Sequence, residues 1–309
     1  MMRRALPILR ILVAIAVLAW VLKRLRWEEI AKFEWRTIDA GWLALAFVFG
    51  GLSLLGWAGR WWWFVRVYDL RVPFRTLLRL TFFADFFNLY FLGPLGADGV
   101  RLLHLSRDYP DKRGPILGSI ILDHVGGLMG GIVLYACFSR SGVLPVTITS
   151  WADVALPIIA IVTFLGLGVI MEPALQRLWA RVPGMARLVQ AASPIFAGTF
   201  RHPWLFSGFA VSILSTASAF VAYWAASQAV GAEVSLPQIL GIMPAVDLVA
   251  SLPITVSGIG VREGLLVEWL GNQSGCAPVR ALATSLLGFA AIGLWGLAGG
   301  LWMVLGRKR

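Results

Sequence analysis

Cysteine and histidine are scarce in this chain, and acidic side chains are few. Its 309 residues include 2 Cys, 3 His and 16 Asp or Glu, against 27 Lys or Arg. Cys137 and Cys276 have no C-x-x-C partner, so a thiolate metal site and a disulfide framework are both excluded. The histidines lack H-E-x-x-H spacing, which removes the common zinc hydrolases. No metal and no cofactor is therefore expected. Charged residues make up only 14% of the chain, too few to cover a water-soluble body of this length. Low-complexity tails and flexible linkers are also missing.

What fills the chain is apolar. Hydrophobic residues account for 59% and the mean hydropathy is +0.79. They come in long blocks without a strict period of 2 or 3.6, the pattern of helices that face lipid. Spanning hydrocarbon takes about 20 such residues. Eight blocks qualify, near 6–23, 42–59, 77–96, 115–138, 154–171, 204–229, 239–257 and 281–306. Many of the 15 Trp, among them Trp20, Trp42, Trp61, Trp62, Trp63, Trp151, Trp204 and Trp302, stand near block ends, as in an aromatic belt at the headgroups. The net charge of +11 sits in short clusters between blocks. That is topology information and attraction to anionic lipid, and no nucleic-acid-binding motif accompanies it. The basic, apolar N-terminus lacks an A-x-A-like cleavage site and is closed by Lys23 and Arg24, so it reads as an uncleaved first helix. Two amphipathic linkers, 24–41 and 172–203, are expected along a membrane surface.

The third and seventh blocks differ from the rest. The third reads TFFADFFNLYFLGPLGADGVR and the seventh GIMPAVDLVASLPITVSGIGVREG. Each carries a polar residue six positions before a Pro (Asn88 before Pro94, Asp247 before Pro253), then glycines, then Gly-Val-Arg. Pro removes a helix hydrogen bond and Gly permits a sharp turn, so each segment is expected to break at membrane depth. The breaks are placed at Pro94, Gly96 and Gly99, and at Pro253, Gly258 and Gly260. Irregular backbone survives there only against protein or a watery cavity. Both blocks are thus candidate re-entrant hairpins.

Loop charges favour that reading. With eight crossings and an internal N-terminus, 12 Lys/Arg fall inside and 15 outside. With two hairpins the division becomes 19 inside and 8 outside, which obeys the positive-inside tendency. The expected fold is therefore all-α, a polytopic membrane protein with about six spanning helices and two re-entrant broken segments. The chain forms one membrane domain, 1–309, of two inverted repeats, about 1–150 and 151–309. Secondary transporters share this plan and place their sites where broken helices meet.

An ionised side chain in hydrocarbon costs several kcal/mol and needs a partner or a task. The residues so placed are Asp85, Asn88, Asp98, Arg101, Asp123, His124, Asp247, Arg262 and Glu263. Arg101 and Arg262 suit a phosphate or carboxylate. Asp98 suits either a helix cap or a ligand, and Glu263 either structure or a ligand. Asp123 and His124, adjacent on a helix, point about 100° apart; Asp123 is expected to meet a hairpin Arg. Asp98-Gly99-Val100-Arg101 begins like an alcohol-phosphatidyltransferase signature, but the later Gly and paired Asp are missing. Asp108 and Asp111 stand without a second acidic cluster. No catalytic set is assigned.

At these residues the chain resembles a family. FNLYFLGPLGADGVRLLHLSRD, SIILDHVGGLMG and SLPITVSGIGVREGLL are similar to the flippase-like membrane domain of the lysylphosphatidylglycerol synthases and its stand-alone relatives. The likeness rests on Asn88, Pro94, Gly96, Asp98, Arg101, Asp123, Gly127, Leu128, Leu252, Pro253, Gly258, Gly260, Arg262 and Glu263. His124 stands where the pattern has Arg. The resemblance implies lipid translocation in a bacterial plasma (inner) membrane without synthesis, with membrane lipids and a separately encoded lipid-synthesising enzyme as partners; the loop-charge division gives the expectation that both termini are cytoplasmic. Hopanoid or glycolipid pathways are among those the resemblance implies. A membrane-embedded transferase, or a non-catalytic partner of a lipid-synthesis complex, are the alternatives.

Overall fold

The computed structural model describes residues 35–88, 93–141, 202–252, 255 and 257–305, with five isolated positions between 153 and 162. All regular structure among them is helical, in the order α1 (Ala40–Val67), α2 (Phe74–Phe87), α3 (Gly93–Asp108), α4 (Arg113–Phe138), α5 (Trp204–Ala229), α6 (Leu236–Ala250), α7 (Val261–Ser274) and α8 (Pro278–Leu305). The chain is a polytopic α-helical membrane protein. Four helices, α1, α4, α5 and α8, are long and apolar enough to cross a bilayer. The expected spans on 6–23 and 154–171, the linker 172–203 and residue 150 lie wholly or almost wholly outside the described residues, as does the linker 24–41 up to residue 34.

The frame is set by α1 and α5, which run antiparallel along each other. At one end, the Asp39 amide donates to the Ala229 carbonyl (2.9 Å) and Trp42 meets Trp224 edge-on. At the other end, Trp63 lies 4.9 Å from Trp204. Small residues let the two backbones close up: a Cβ on Gly56 would sit 2.5 Å from the Ser215 Cβ. Asp39 also starts α1, its carboxylate accepting from the Gly41 and Trp42 amides. At the Trp63 end, Arg66 lies 3.5 Å over the Trp62 ring, the amphipathic arrangement expected of a headgroup belt.

The third and seventh blocks each belong to a pair of short helices, the second helix of each pair extending or lying beyond the block. α2 and α3 have 14 and 16 residues, α6 and α7 have 15 and 14. At 1.5 Å per residue each is about 21–24 Å long, short of the roughly 30 Å hydrocarbon core. Each pair doubles back. Tyr109, just after α3, donates its hydroxyl to the Arg71 carbonyl just before α2 (3.4 Å). Arg280, in the first turn of α8 that follows α7, donates to the Gly231 carbonyl just before α6 (2.6 Å). Leu70, Val72, Leu77 and Leu105 share one core with Trp61 and Ile116; Val230, Val234, Ile239, Trp269 and Leu270 share another with Tyr135. The first mouth therefore packs on the start of α4 and the second on its end. The hairpins open at opposite ends of the bundle.

Their tips meet. Ser257, in the second break, donates its hydroxyl to the Asn88 carbonyl at the end of α2 (3.0 Å). The order helix, helix pair, helix occurs as α1 to α4 and again as α5 to α8.

The breaks sit differently from the sequence expectation. α3 already begins at Gly93, so Pro94, Gly96 and Gly99 lie inside it, after the break rather than at it. Pro is well placed in a first helical turn, where its missing N–H has no partner to lose. In the second hairpin α6 ends at Ala250, and Gly258 and Gly260 have φ of 73° and 87°. A Cβ on Gly258 would also lie 2.7 Å from the Ala250 Cβ. Pro253 lies outside the described residues.

Candidate functional site

The buried charges gather where the first hairpin meets α1 and α4. Asp123, 1% exposed, lies on α4 and accepts from two guanidiniums. Arg60 Nε of α1 reaches Oδ1 at 2.6 Å, and Arg101 Nη1 of α3 reaches Oδ2 at 2.9 Å. Both arginines are 8% exposed. One carboxylate with both oxygens engaged offsets much of the cost of two cations at this depth. Arg101 also lies 4.9 Å over the Trp61 ring. Its other carboxylate neighbour is Asp85 of α2, which also bonds the Asn88 side chain. Asp85 Oδ2 and Arg101 Nε have no hydrogen-bond partner among the described residues.

One position further along α4, His124 turns to a different partner: its Nε2 is 2.7 Å from Asp98 Oδ2. The neighbours Asp123 and His124 thus separate as helix geometry requires, and Asp123 does meet a hairpin arginine. Asp98 lies well inside α3, five residues after Gly93, and does not cap it.

The second hairpin treats its charges otherwise. Glu263, 1% exposed, accepts from the Gly260 amide (2.5 Å) and from Ser285 of α8 (3.0 Å). Its carboxylate closes the first turn of α7 and ties it to α8, a structural task. Arg262 has no such close partner. Its Nη2 stands 3.9 Å from Asp247 Oδ1, and its guanidinium lies 4.9 Å over Phe289. Nε and Nη1 are buried without a hydrogen-bond partner among the described residues.

Between α1, α4, α5 and α6 lies a cavity of about 340 Å³. Arg60 and His124 line its α1–α4 side, Asp247 and Pro244 face it from α6, and Ser251 from the C-cap of that helix. Gly127 makes room for the first of these, since a Cβ there would sit 2.9 Å from Arg60 Nη1. Of the charged residues expected from sequence, His124 and Asp247 line the cavity. Asp98, Arg101 and Asp123 form the network beside it, Arg262 reaches it through Asp247, Asn88 sits at the tip contact, and Glu263 is engaged with α8.

Arg60 was missed. An apolar block that stops at residue 59 leaves Arg60 as a loop charge, whereas α1 continues to Val67. The signal was the aromatic run Trp61–Phe64 immediately after it: a cation with apolar residues on both sides sits at depth.

No curated protein matches the chain. The family model described as the lysylphosphatidylglycerol synthase TM region matches residues 8–300, so this chain, with its paired hairpins and buried arginine–aspartate network, belongs to that family.

Proposed function

We propose that the chain is a lipid translocase, moving a phospholipid or another lipid with a polar headgroup across the bacterial plasma membrane. The observation that carries this reading is the tip-to-tip meeting of two hairpins from opposite ends, beside a cavity that presents Arg60 and His124 on one side and Asp247 on another. A headgroup passing between leaflets needs polar partners at mid-depth, while its acyl chains stay in lipid. The cavity supplies both signs of charge, and Arg262 adds guanidinium donors next to Asp247. The first hairpin opens to the cytoplasm and both termini are cytoplasmic, an orientation supported by the 19 to 8 distribution of Lys and Arg. The two directions of helix, hairpin and helix support an inverted repeat over 1–150 and 151–309. Transport is passive or ion-coupled and involves no chemical turnover of the lipid; a separately encoded lipid-synthesising enzyme supplies the cargo.

The test is headgroup transfer in proteoliposomes, read by quenching of a fluorescent lipid in the outer leaflet. Hydrogen bonds from a charged donor contribute about 1.5–3 kcal/mol, so Arg262→Ala should slow transfer roughly 10-fold to 100-fold, with recovery in Arg262→Lys. Unchanged rates in a folded Arg262→Ala protein would remove Arg262 from the path. Wild-type rates no greater than those of protein-free vesicles, for anionic and zwitterionic headgroups alike, would end the translocase reading.

A further inference from the structure

The first hairpin is attached to α4 by two ion pairs that differ in kind. On α3, Asp98 and Arg101 are three residues apart and so share a face; on α4 their partners are the neighbours His124 and Asp123. The Arg101–Asp123 pair is buried and carries a guanidinium that never loses its proton in this setting. The Asp98–His124 pair has the one side chain whose ordinary titration falls between about pH 5 and 8. Its imidazole is 53% exposed and lines the cavity, and the Asp98 side chain is 23% exposed. A proton can therefore reach one of the two attachments without the helix leaving its place.

We propose that His124 and Asp98 form a proton-binding site that sets how tightly the first hairpin is held against α4. Protonated, the imidazolium Nε2–H donates to the Asp98 carboxylate and the contact is an ion pair. Deprotonated, the imidazole is neutral and the attraction falls to that of a neutral donor, about half as strong. The hairpin then keeps the Arg101–Asp123 pair alone.

The charged groups around His124 leave it the residue that changes. Its own neighbour Asp123 is occupied by Arg60 of α1 and Arg101 of α3. Across the cavity α6 presents Asp247, which stands near Arg262. From Trp204 to Ala229, α5 has no Asp, Glu, Lys, Arg or His. The proton held between Asp98 and His124 thus alters the attachment without rearranging the arginine network. This goes beyond the translocase reading, since it concerns the hairpin's position and not the cargo.

The experiment is a distance measurement between spin labels on Leu103→Cys (α3) and Val133→Cys (α4), both exposed positions. The full chain is used, with Cys137 and Cys276 replaced by Ser, in liposomes without added cargo. A longer-distance population should grow from about pH 5 to 8, its ratio changing by at most about tenfold per pH unit, the limit for one proton. His124→Arg, which keeps the charge, should hold the low-pH distribution at every pH. Asp98→Asn and His124→Gln should hold the high-pH distribution. A wild-type distribution that does not change with pH overturns the proposal, and so does a pH transition that persists in Asp98→Asn and His124→Gln.

Discussion

Asp123 is the residue whose loss should cost most, and the structure gives the order of effects around it. Its two oxygens serve Arg60 at 2.6 Å and Arg101 at 2.9 Å in a site that is almost fully enclosed. Asp123→Asn conserves volume but leaves two buried guanidiniums without their shared carboxylate. Breaking a buried pair by removing one partner costs about 3–5 kcal/mol. Arg60→Met removes a cation instead, and Asp123 keeps Arg101; the loss is then about 1.5–3 kcal/mol, that of one charged hydrogen bond. The double variant should be more stable than Asp123→Asn alone, because deleting Arg60 removes one of the two cations that had lost its counter-charge.

Thermal unfolding of the detergent-solubilised protein, followed by tryptophan fluorescence, reads these differences. At about 1.5 °C per kcal/mol for a chain of this size, Asp123→Asn should lower Tm by roughly 5–8 °C. Arg60→Met should lower it by a few degrees, and the double variant should fall between the two. A double variant less stable than Asp123→Asn would mean that the mutations add independently. The shared-carboxylate account of the network would then be wrong.

Two further outcomes follow from backbone geometry. Gly258→Ala forces a side chain onto φ 73° and against Ala250, so it should lose about 1–3 kcal/mol of stability in the same assay. Gly99→Ala, with nothing within 4 Å and inside α3, should instead gain about 0.5–1 kcal/mol; equal effects of the two would contradict the placement of the break. If the hairpin tips meet as the Ser257–Asn88 contact indicates, the pair Asn88→Cys and Ser257→Cys should crosslink with a short thiol reagent in membranes. Failure to crosslink, with both thiols shown to be reactive, would separate the tips.

The fold was legible where a single physical demand dominates. Blocks of about 20 apolar residues became α1, α4, α5 and α8, because hydrocarbon requires that length. The hairpins were legible because charge, Pro and Gly inside an apolar block conflict with a straight lipid-facing helix. Boundaries were less so. The block edge at 59 followed hydropathy and met Arg60, but α1 continues because that guanidinium finds Asp123 on another helix, a partner sequence spacing does not reveal. The first break was drawn at Pro94, although Pro at a helix start is as favourable as Pro at a helix end. The His124–Asp98 pair was also hidden, since its members are 26 residues apart and on different helices.

The two Gly-Val-Arg tripeptides suggest equivalent arginines, and the structure separates them for a local reason. The helix that follows the first hairpin, α4, presents Asp123 to Arg101. The helix that follows the second, α8, presents Ser285 to Glu263 and Phe289 to Arg262. An aromatic face attracts a guanidinium without occupying its in-plane donors. Arg101 therefore spends its strongest bond within the protein, holding a hairpin in place. Arg262 keeps Nε and Nη1 without a partner among the described residues, with Asp247 only at 3.9 Å. An anionic group arriving at the meeting point of the tips would compete with a close carboxylate at Arg101, but only with a distant one at Arg262. The same tripeptide thus serves as a fastening in one half of the chain and as available donors in the other, and the side chain opposite each arginine makes the difference.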